Sequence, residues 1–426
     1  MTIAIFLGAL IGAIALGVPI AYSLLLSGMA LMWHLDLFDA QILAQNVLEG
    51  ANSFPLLAVP FFMLAGEIMN VGGLSKRIVN LALSLVGHVQ GGLGFVTILA
   101  AVLMASLSGS AVADTAALAA LLLPMMVKAG HDKGRSGGLI ATAGIIAPVI
   151  PPSIPFVIFG VAANVSIGKL FMAGIVPGIL MGASIAITWW LVARREGASV
   201  PPKATRAEQL KALRESTWAL FLPVIVLVGL KMGVFTPTEA AVVAAVYALF
   251  VATVIYRELK FSQLYDVFVG ACKTTAIIMF LVAAAAVSAW LITVAQLPDQ
   301  LIALLQPFLD RPTLLLIIIM LLILVIGMAM DLTPTILILA PVLMPVIKAA
   351  GIDPVYFGVL FVMNGAIGLV TPPVGTVLNV VAGVGRMKIE HVAKGVLPFM
   401  CAQIAVLFLL VIFPEIVLTP LRWFYS

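Results

Sequence analysis

The sequence predicts an all-α membrane protein that crosses the bilayer many times and consists of two inverted structural repeats with broken helices and re-entrant hairpins. Three observations support this prediction. The 426 residues are 63% hydrophobic and only 9% charged, which is too few charges for the surface of a soluble protein. The second half repeats the helix-breaking residues of the first half, and corresponding loops of the two halves differ in charge.

The repeat is visible at residues that mark special backbone positions. An ungapped offset of 221 residues aligns Pro124 with Pro345 and Gly144 with Gly365. The same offset also aligns Gly130 with Gly351, Asp132 with Asp353, Pro151–Pro152 with Pro372–Pro373, Gly174 with Gly395 and Pro177 with Pro398. Two copies with interrupted hydrophobic segments are typical of secondary transporters, in which irregular backbone lines a cavity.

The hydrophobic segments follow one another along the chain. Residues 3–33 are too long for a cleavable signal and lack a basic start, so we interpret them as part of the structure. Residues 170–192, 313–330 and 396–413 are long enough to span the bilayer. An additional crossing at 218–232 has no full partner in the first half, and one extra crossing would invert the second repeat.

A polar stretch divides the chain into a first membrane repeat, 1–193, a linker, 194–215, and a second membrane repeat, 216–426. The linker's basic residues are Arg194, Arg195, Lys203, Arg206, Lys211 and Arg214. The positive-inside rule places such a loop in the cytoplasm. A solvated linker explains these charges without a further role.

The loop charges predict that the repeats have opposite orientations. Residues 36–49 contain three acids and no base, whereas the corresponding 257–273 contain three bases and two acids. The turn at Lys76–Arg77 is basic, but its counterpart at Pro298–Asp299 is not. Since basic loops stay in the cytoplasm, the two copies should face opposite sides of the membrane.

Polar groups inside the apolar segments are the natural candidates for a site. The first cluster contains Ser106, Ser108, Gly109 and Ser110, followed by Asp114. Hydroxyls around a glycine can interrupt a helix and supply oxygen ligands for a hard cation. A packing face whose hydroxyls bond their own helix explains the serines equally well. The carboxylate of Asp114, which is costly at membrane depth, favours a functional site.

The second repeat carries a related cluster. At the offset of 221, Ser110 aligns with Asp331 and Asp114 aligns with Thr335. Each repeat therefore has one carboxylate and one hydroxyl four residues apart, a spacing that places both on one helix face. We expect these oxygen-rich breaks to meet in the middle of the membrane and to form paired cation sites.

A second pair of breaks surrounds the Pro-Pro dipeptides, at 147–153 and 368–375. Two prolines remove two N–H donors and leave nearby carbonyl groups free to bind a cation or a substrate. The polar side chains at these breaks are Ser153, Thr371, Thr376 and Asn379. A purely structural kink is the alternative, and the duplication at equal spacing favours a break that lines a ligand site.

The absence of several motifs limits the possible energy sources for transport. The sequence contains no G-x-x-x-x-G-K-[ST], H-E-x-x-H or G-x-S-x-G motif, so neither a nucleotide-binding P-loop nor these hydrolase sites are indicated. Cys272, Cys401 and the histidines show no metal-ligand spacing, and the net charge of +4 implies no nucleic-acid partner. An ion gradient remains the simplest energy source, with no further cofactor.

Four motifs carry a resemblance to a known family: FFMLAGEIMNVGG at 61–73, SLSGSAVADT at 106–115, IPPSIP at 150–155 and TPPVG at 371–375. With them the chain resembles, almost from end to end, the DctM-type large membrane subunit of tripartite ATP-independent periplasmic (TRAP) transporters. Within this family it is similar to sugar-acid systems such as those for 2,3-diketogulonate.

The resemblance implies a multi-pass protein of the bacterial inner membrane with scaffold and transport domains, which works by a sodium-driven elevator motion. It implies a separate small four-helix membrane subunit and a periplasmic solute-binding protein as partners, besides membrane lipid. The expected substrate is a small organic anion, a C4-dicarboxylate or a sugar acid. The sodium ligands would come from Ser106, Ser108, Gly109, Ser110, Asp114, Gly327, Asp331, Thr333, Thr371 and Gly375. The hypothesised substrate ligands are Ser153, Thr335, Thr376 and Asn379.

Other functions stay open at this stage. The chain could be a stand-alone sodium–carboxylate symporter of the related divergent anion family, which needs no binding protein. An intramembrane enzyme could use Asp114 and Asp331 as an acid–base pair, but the missing catalytic motifs disfavour an enzyme. A passive channel would not accumulate its solute against a gradient.

Overall fold

The computed structural model describes residues 2–194 and 202–425. The first half forms α1 (Thr2–Ala15), α2 (Ile20–His34), α3 (Ala40–Ala51), α4 (Ala58–Val71), α5 (Leu74–Val86), α6 (Gly92–Ser108), α7 (Ala111–Lys128), α8 (Lys133–Gly144), α9 (Ile154–Ala162) and α10 (Ile167–Ala193). The second half forms α11 (Arg206–Lys231), α12 (Pro237–Phe250), α13 (Phe261–Val294), α14 (Leu297–Leu309), α15 (Pro312–Gly327), α16 (Leu332–Ala349), α17 (Pro354–Gly368), α18 (Thr376–Gly385), α19 (Ile389–Ile412) and α20 (Glu415–Tyr425).

The described part of the chain contains eight helices that are long and apolar enough to cross a membrane, together with shorter apolar helices. This confirms the predicted all-α, multi-pass architecture. Residues 195–201 of the predicted linker, among them Arg195, lie outside the described residues. Helix α11 begins at Arg206, inside the predicted linker. The repeat boundaries at 193 and 216 stay predictions.

The helices of the two halves follow the repeat closely. Shifting α7 by 221 residues reproduces the bounds of α16, and α6, α8 and α10 match α15, α17 and α19 to within three residues. The two aligned aspartates have the same structural role. Asp132 and Asp353 each accept hydrogen bonding from backbone N–H as the N-cap of the following helix. Both Pro-Pro peptide bonds, Pro151–Pro152 and Pro372–Pro373, are cis.

Contacts along α19 show that the repeats are inverted. Near the start of α19, a Cβ atom added to Gly134 would lie 2.7 Å from the carbonyl oxygen of His391. Near its end, the Tyr356 hydroxyl donates a hydrogen bond of 2.8 Å to the carbonyl oxygen of Leu410. The equivalent helices α8 and α17 therefore begin at opposite ends of one long helix, as the loop charges predict.

The helices form two packing groups. The scaffold helices, α1–α4 and α11–α13, pack mainly against one another, as do the core helices, α6–α10 and α15–α20. Helices α5 and α14, which we name the link helices, connect the groups in the chain. Each follows a scaffold helix and precedes the hairpin of its repeat, α6–α7 or α15–α16.

One scaffold element differs between the repeats. Helix α13 is continuous over Phe261–Val294, whereas the corresponding stretch of the first half is divided into α3, a 3-10 turn at Phe54–Leu57, and α4. Pro55 lies in this interruption, and the offset of 221 aligns it with Ala276. Because proline cannot donate the backbone hydrogen bond of a continuous helix, the helix is interrupted in the first repeat and continuous in the second.

Candidate functional site

Four helix breaks position the candidate residues. We name residues 109–110 and 328–331 the first and second hairpin breaks, and residues 145–153 and 369–375 the first and second Pro-Pro breaks. Each break follows the last residue of one helix and precedes the first residue of the next. Free carbonyl groups at a helix end and free N–H groups at a helix start therefore occur together at every break.

The two breaks of the first repeat touch. Gly109 has a φ of +61°, and a Cβ atom added to it would lie 2.5 Å from the carbonyl oxygen of Pro152. Both the left-handed backbone and the close approach favour glycine at this position. The next residue, Ser110, is the N-cap of α7 and accepts a hydrogen bond from the N–H of Ala113 at 3.4 Å.

Asp114 is buried beside this contact, with only 1% of its surface exposed. The Ser108 hydroxyl donates a hydrogen bond to its Oδ1 at 2.5 Å. Neither Oδ2 of Asp114 nor Oγ1 of Thr115 has a hydrogen-bond partner among the described residues. A buried carboxylate oxygen without a donor is costly unless a cation or a proton compensates it.

Two other candidate hydroxyls of the first repeat, those of Ser106 and Ser153, form hydrogen bonds with nearby backbone groups. The Ser106 hydroxyl donates to the carbonyl oxygen of Leu103 at 2.7 Å, within its own helix. The buried Ser153 donates to the carbonyl oxygen of Pro148 and accepts a bond from the N–H of Phe156. These geometries match the packing role that the sequence left open for the serines. The substrate role of Ser153 stays a prediction.

The second repeat pairs its breaks in the same way. A Cβ atom added to Gly368 would lie 2.8 Å from the Cα, carbonyl carbon and oxygen of Gly327, so the two backbones meet directly. Asp331 is the N-cap residue of α16, and its side chain is exposed. The Thr335 hydroxyl donates to the backbone oxygen of Asp331 at 2.7 Å. Thr333 is half-buried in the first turn of α16.

The second Pro-Pro break presents different polar groups. Thr371, which lies in the break, donates to the carbonyl oxygen of Ile367 near the end of α17, at 2.8 Å. Gly375, at φ +45°, precedes α18. Oγ1 of Thr376 is buried without a partner among the described residues, whereas Asn379 is exposed and donates to the carbonyl oxygen of Val374 at 3.0 Å.

Contacts between the repeats bring the four breaks into one region. Helix α7, which starts at the first hairpin break, packs against α18, which starts at the second Pro-Pro break. Helix α16 packs in the same way against α9. The region thus contains four helix starts and four helix ends, together with the carboxylates of Asp114 and Asp331.

Sequence reasoning missed one buried polar residue near this region. Asn364 in α17 is fully buried, and its Nδ2 donates to the carbonyl oxygen of Met320 at 2.6 Å. Its Oδ1 has no partner among the described residues. The signal was available, because an amide within the apolar run 354–368 is costly without a hydrogen-bonding role.

An all-α membrane protein of two inverted repeats, whose broken helices meet in this way, is a secondary transporter. Residues 7–416 match the family model described as the Tripartite ATP-independent periplasmic transporter, DctM component. The chain therefore belongs to the DctM family of large permease subunits of TRAP transporters. It is a multi-pass protein of the inner membrane and a transporter subunit rather than an enzyme.

Individual relatives agree with this assignment. The chain is 59% identical over 423 residues to the 2,3-diketo-L-gulonate TRAP transporter large permease protein YiaN of Escherichia coli K12, with 99% of this chain and 100% of the relative covered. It is 40% identical over 408 residues to the sialic acid TRAP transporter large permease protein SiaM of Vibrio cholerae, with 96% of each covered. The predicted similarity to the diketogulonate subgroup is confirmed.

A solved structure shares the fold. The Alcanivorax borkumensis YdaH transporter, described as having an unusual topology, matches with a TM-score of 0.64 at 17% sequence identity. The match covers 88% of this chain and 89% of that chain. At this identity the likeness supports the architecture alone, which agrees with the predicted all-α membrane fold.

Proposed function

We propose that this protein is the translocating subunit of a binding-protein-dependent TRAP system that couples the uptake of a sugar acid to sodium. The observation that carries the proposal is the meeting of four helix breaks, where free carbonyl groups and free N–H groups face a common region. Such breaks suit the simultaneous binding of a cation and an anion. The 59% identity to a permease named for 2,3-diketo-L-gulonate supports a sugar acid as the substrate class.

Sodium would bind at the carbonyl ends of the broken helices. The ends of α6 and α15 lie next to the hairpin breaks, and those of α8 and α17 lie next to the Pro-Pro breaks. Oxygen ligands are the ones that hard cations prefer. Asp114 and Asp331 add one carboxylate to each repeat, and the unpartnered Oδ2 of Asp114 supports a positive ligand beside it.

The substrate anion would bind at the opposite helix ends. Helices α7, α9, α16 and α18 all start at the breaks, and helix starts carry partial positive charge. The break residues contain no Lys or Arg, so these dipoles and bound sodium would balance the substrate carboxylate. The hydroxyl of Thr376 and the amide of Asn379 are available there as neutral hydrogen-bonding groups.

The partners follow from the family. A tripartite system contains two components besides this chain, which we infer to be a small membrane subunit and a periplasmic solute-binding protein. The binding protein would deliver the anion, and the small subunit would complete the membrane part.

Reconstitution tests the proposal. Proteoliposomes that contain this chain and the small subunit should accumulate 2,3-diketo-L-gulonate when the loaded binding protein and inward-directed sodium are both present. Equal uptake with choline in place of sodium would contradict the proposed coupling to sodium. Equal uptake without the binding protein would favour the stand-alone symporter. Equilibration without accumulation would indicate a channel, and a chemically altered product would indicate an enzyme.

A further inference from the structure

Arg77, near the start of the link helix α5, contacts two residues of the scaffold and the N-cap residue of its own helix. Its Nη2 forms an ion pair of 2.7 Å with Oε1 of Glu258, in the connection between α12 and α13. Its guanidinium carbon lies 3.8 Å from the ring centroid of Tyr256, and its Nη1 donates to the carbonyl oxygen of Gly73 at 3.1 Å. We name these four residues the Arg77 clamp.

Unusual backbone conformations assemble the clamp. A π-helical turn at Val251–Ile255 ends the α12 segment, and Arg257 has a φ of +54°. Such turns are rare and often mark functional positions. Gly73 has a φ of +74°, and a Cβ atom added to it would collide with Oε2 of Glu258. Both sides of the ion pair therefore depend on backbone that ordinary helices do not adopt.

The clamp extends to a third scaffold helix. The Tyr256 hydroxyl donates a hydrogen bond to the carbonyl oxygen of Glu215 in α11. Further along α5, the Gln209 side-chain amide of α11 donates to the carbonyl oxygen of Ser84 at 3.1 Å. The link helix is thus bound at both ends to scaffold helices, while it also packs against α6 of the core.

Within the part of the chain that the structure describes, the second link helix, α14, has no equivalent anchor. At the offset of 221, Gly73 aligns with Val294 and Arg77 aligns with Pro298. The sequence of α14 contains no basic residue. Its packing is mainly against α15 and α16, the hairpin that it precedes, and against the preceding α13. One link is fixed to the scaffold by a charged clamp, and the other is joined mainly through its chain neighbours.

We propose that Arg77 is a positioning residue for transport, which fixes the start of α5 to the scaffold so that the α6–α7 hairpin moves about a defined pivot. The inference rests on the proposed function, because it assigns the clamp to the movement of core helices that carries substrate. A guanidinium suits this role, since one planar group can pair with a carboxylate and stack on an aromatic ring together.

Transport rates test the role of the clamp. In proteoliposomes with the small subunit and the loaded binding protein, Arg77→Gln and Glu258→Gln should each lower the maximal uptake rate by about fivefold or more. The half-saturating sodium and substrate concentrations should change by less than about twofold, because the clamp touches neither ligand. The exchanged pair Arg77→Glu with Glu258→Arg should recover part of the rate.

A matched control is the exposed ion pair of Lys211 with Glu215, at 3.9 Å within α11. Lys211→Gln removes a surface ion pair of the scaffold but leaves the clamp, so uptake should stay at the wild-type rate. Unchanged rates in both clamp variants would overturn the proposal, and so would equal rate losses in Lys211→Gln. A parallel rise in half-saturating sodium would assign Arg77 to ligand binding instead and would also overturn it.

A spectroscopic measurement separates this proposal from the proposed function. Spin labels at the exposed Asn80 of α5 and Leu210 of α11, in the full chain in nanodiscs, should give one narrow distance distribution that broadens in Arg77→Gln. This measurement needs no substrate. Broadening together with failed sodium-driven uptake in the wild type would defeat the proposed function alone. An unchanged distribution in Arg77→Gln would defeat the pivot, whatever the substrate.

Discussion

The two repeats share their helix bounds but differ in the exposure of their breaks. In the first repeat, Asp114 and residues 147–153 are buried. In the second repeat, Asp331 and Asn379 are exposed, and Val374 has 43% of its surface exposed. The same chemical motif thus occurs once in a closed environment and once in an open one.

Packing outside the breaks explains the difference. Helix α9 packs against the scaffold helix α4 and the preceding 3-10 turn as well as against core helices. Its counterpart α18 packs mainly against the core helices α7, α8 and α19, and it leaves Asn379, Gly383 and Arg386 exposed. We expect the inverted repeats to exchange these environments when the transporter changes state. The same sequence motif therefore forms a buried break in the first repeat and an exposed break in the second. The difference comes from whether the scaffold packs against the break.

Among the variants that test this comparison, we expect the largest effect from a substitution of Asp331. Asp331→Asn keeps the shape and one oxygen but removes the charge of the open break. We expect the variant to insert and fold, because the side chain is exposed, and to need about tenfold more sodium for half-maximal uptake. Sodium titration of uptake measures this. Asp299→Asn on the exposed surface of α14 is the control. An unchanged sodium requirement would remove Asp331 from the proposed sodium ligands.

Alanine substitutions at two glycines compare a position in close backbone contact with a position in open space. Gly368→Ala places a methyl group 2.8 Å from the backbone of Gly327, which should cost about 1–3 kcal/mol and strongly reduce uptake. Gly383→Ala places the same group where no atom lies within 4 Å, and we expect no loss. Thermal unfolding and uptake measure both variants. Equal behaviour of the two alanines would contradict the contact between the second-repeat breaks.

Asp114 tests the closed break. Asp114→Asn removes the charge that a bound cation would balance and places amide N–H groups where the buried Oδ2 has no partner, so we expect a loss of about 1–3 kcal/mol in the free energy of unfolding in sodium. If a cation balances Asp114, sodium should raise the melting temperature of the wild type more than that of this variant. Melting curves with sodium and with choline measure the difference. A sodium effect of the same size in both proteins would place the cation elsewhere.

Cross-linking tests the exchange of environments. Ser53 and Ala162 line one cavity of about 220 Å³ in the present structure. The offset of 221 aligns them with Thr274 and Gly383. With Cys272 and Cys401 replaced by serine, cysteines at 53 and 162 should cross-link in this state, and cysteines at 274 and 383 in the alternative state. Conditions that raise one yield should lower the other. If the second pair never cross-links, the repeats do not exchange these contacts.

Labelling tests the inversion and should leave transport unchanged. Cysteines at Arg206 and Arg386 should react with an impermeant reagent only from the cytoplasm, and one at Asp353 only from the periplasm. Asp132, which is equivalent to Asp353 but lies at the other end of α19, should react from the cytoplasm. Labelling of the Asp132 and Asp353 positions from the same side would contradict inverted repeats.

The sequence by itself determined the class, the repeat and the positions of the breaks. These features depend on local backbone chemistry. Each of several local features restricts one short stretch of chain: Gly109 at positive φ, the N-caps Asp132 and Asp353, and the two Pro-Pro pairs. The high fraction of hydrophobic residues indicates the membrane environment. The motifs around these positions were also sufficient to indicate the DctM family.

Only the tertiary structure decided which groups meet. The contact of Gly109 with Pro152, the unpartnered oxygen of Asp114 and the attachment of Arg77 to Glu258 join residues that the sequence does not relate. The sequence also did not show which hydroxyls lack a hydrogen-bond partner, and the Thr371 hydroxyl donates to the carbonyl oxygen of Ile367 near the end of α17. The physical reason is that burial and hydrogen-bond partners depend on long-range packing, whereas helix bounds depend mainly on neighbours along the chain.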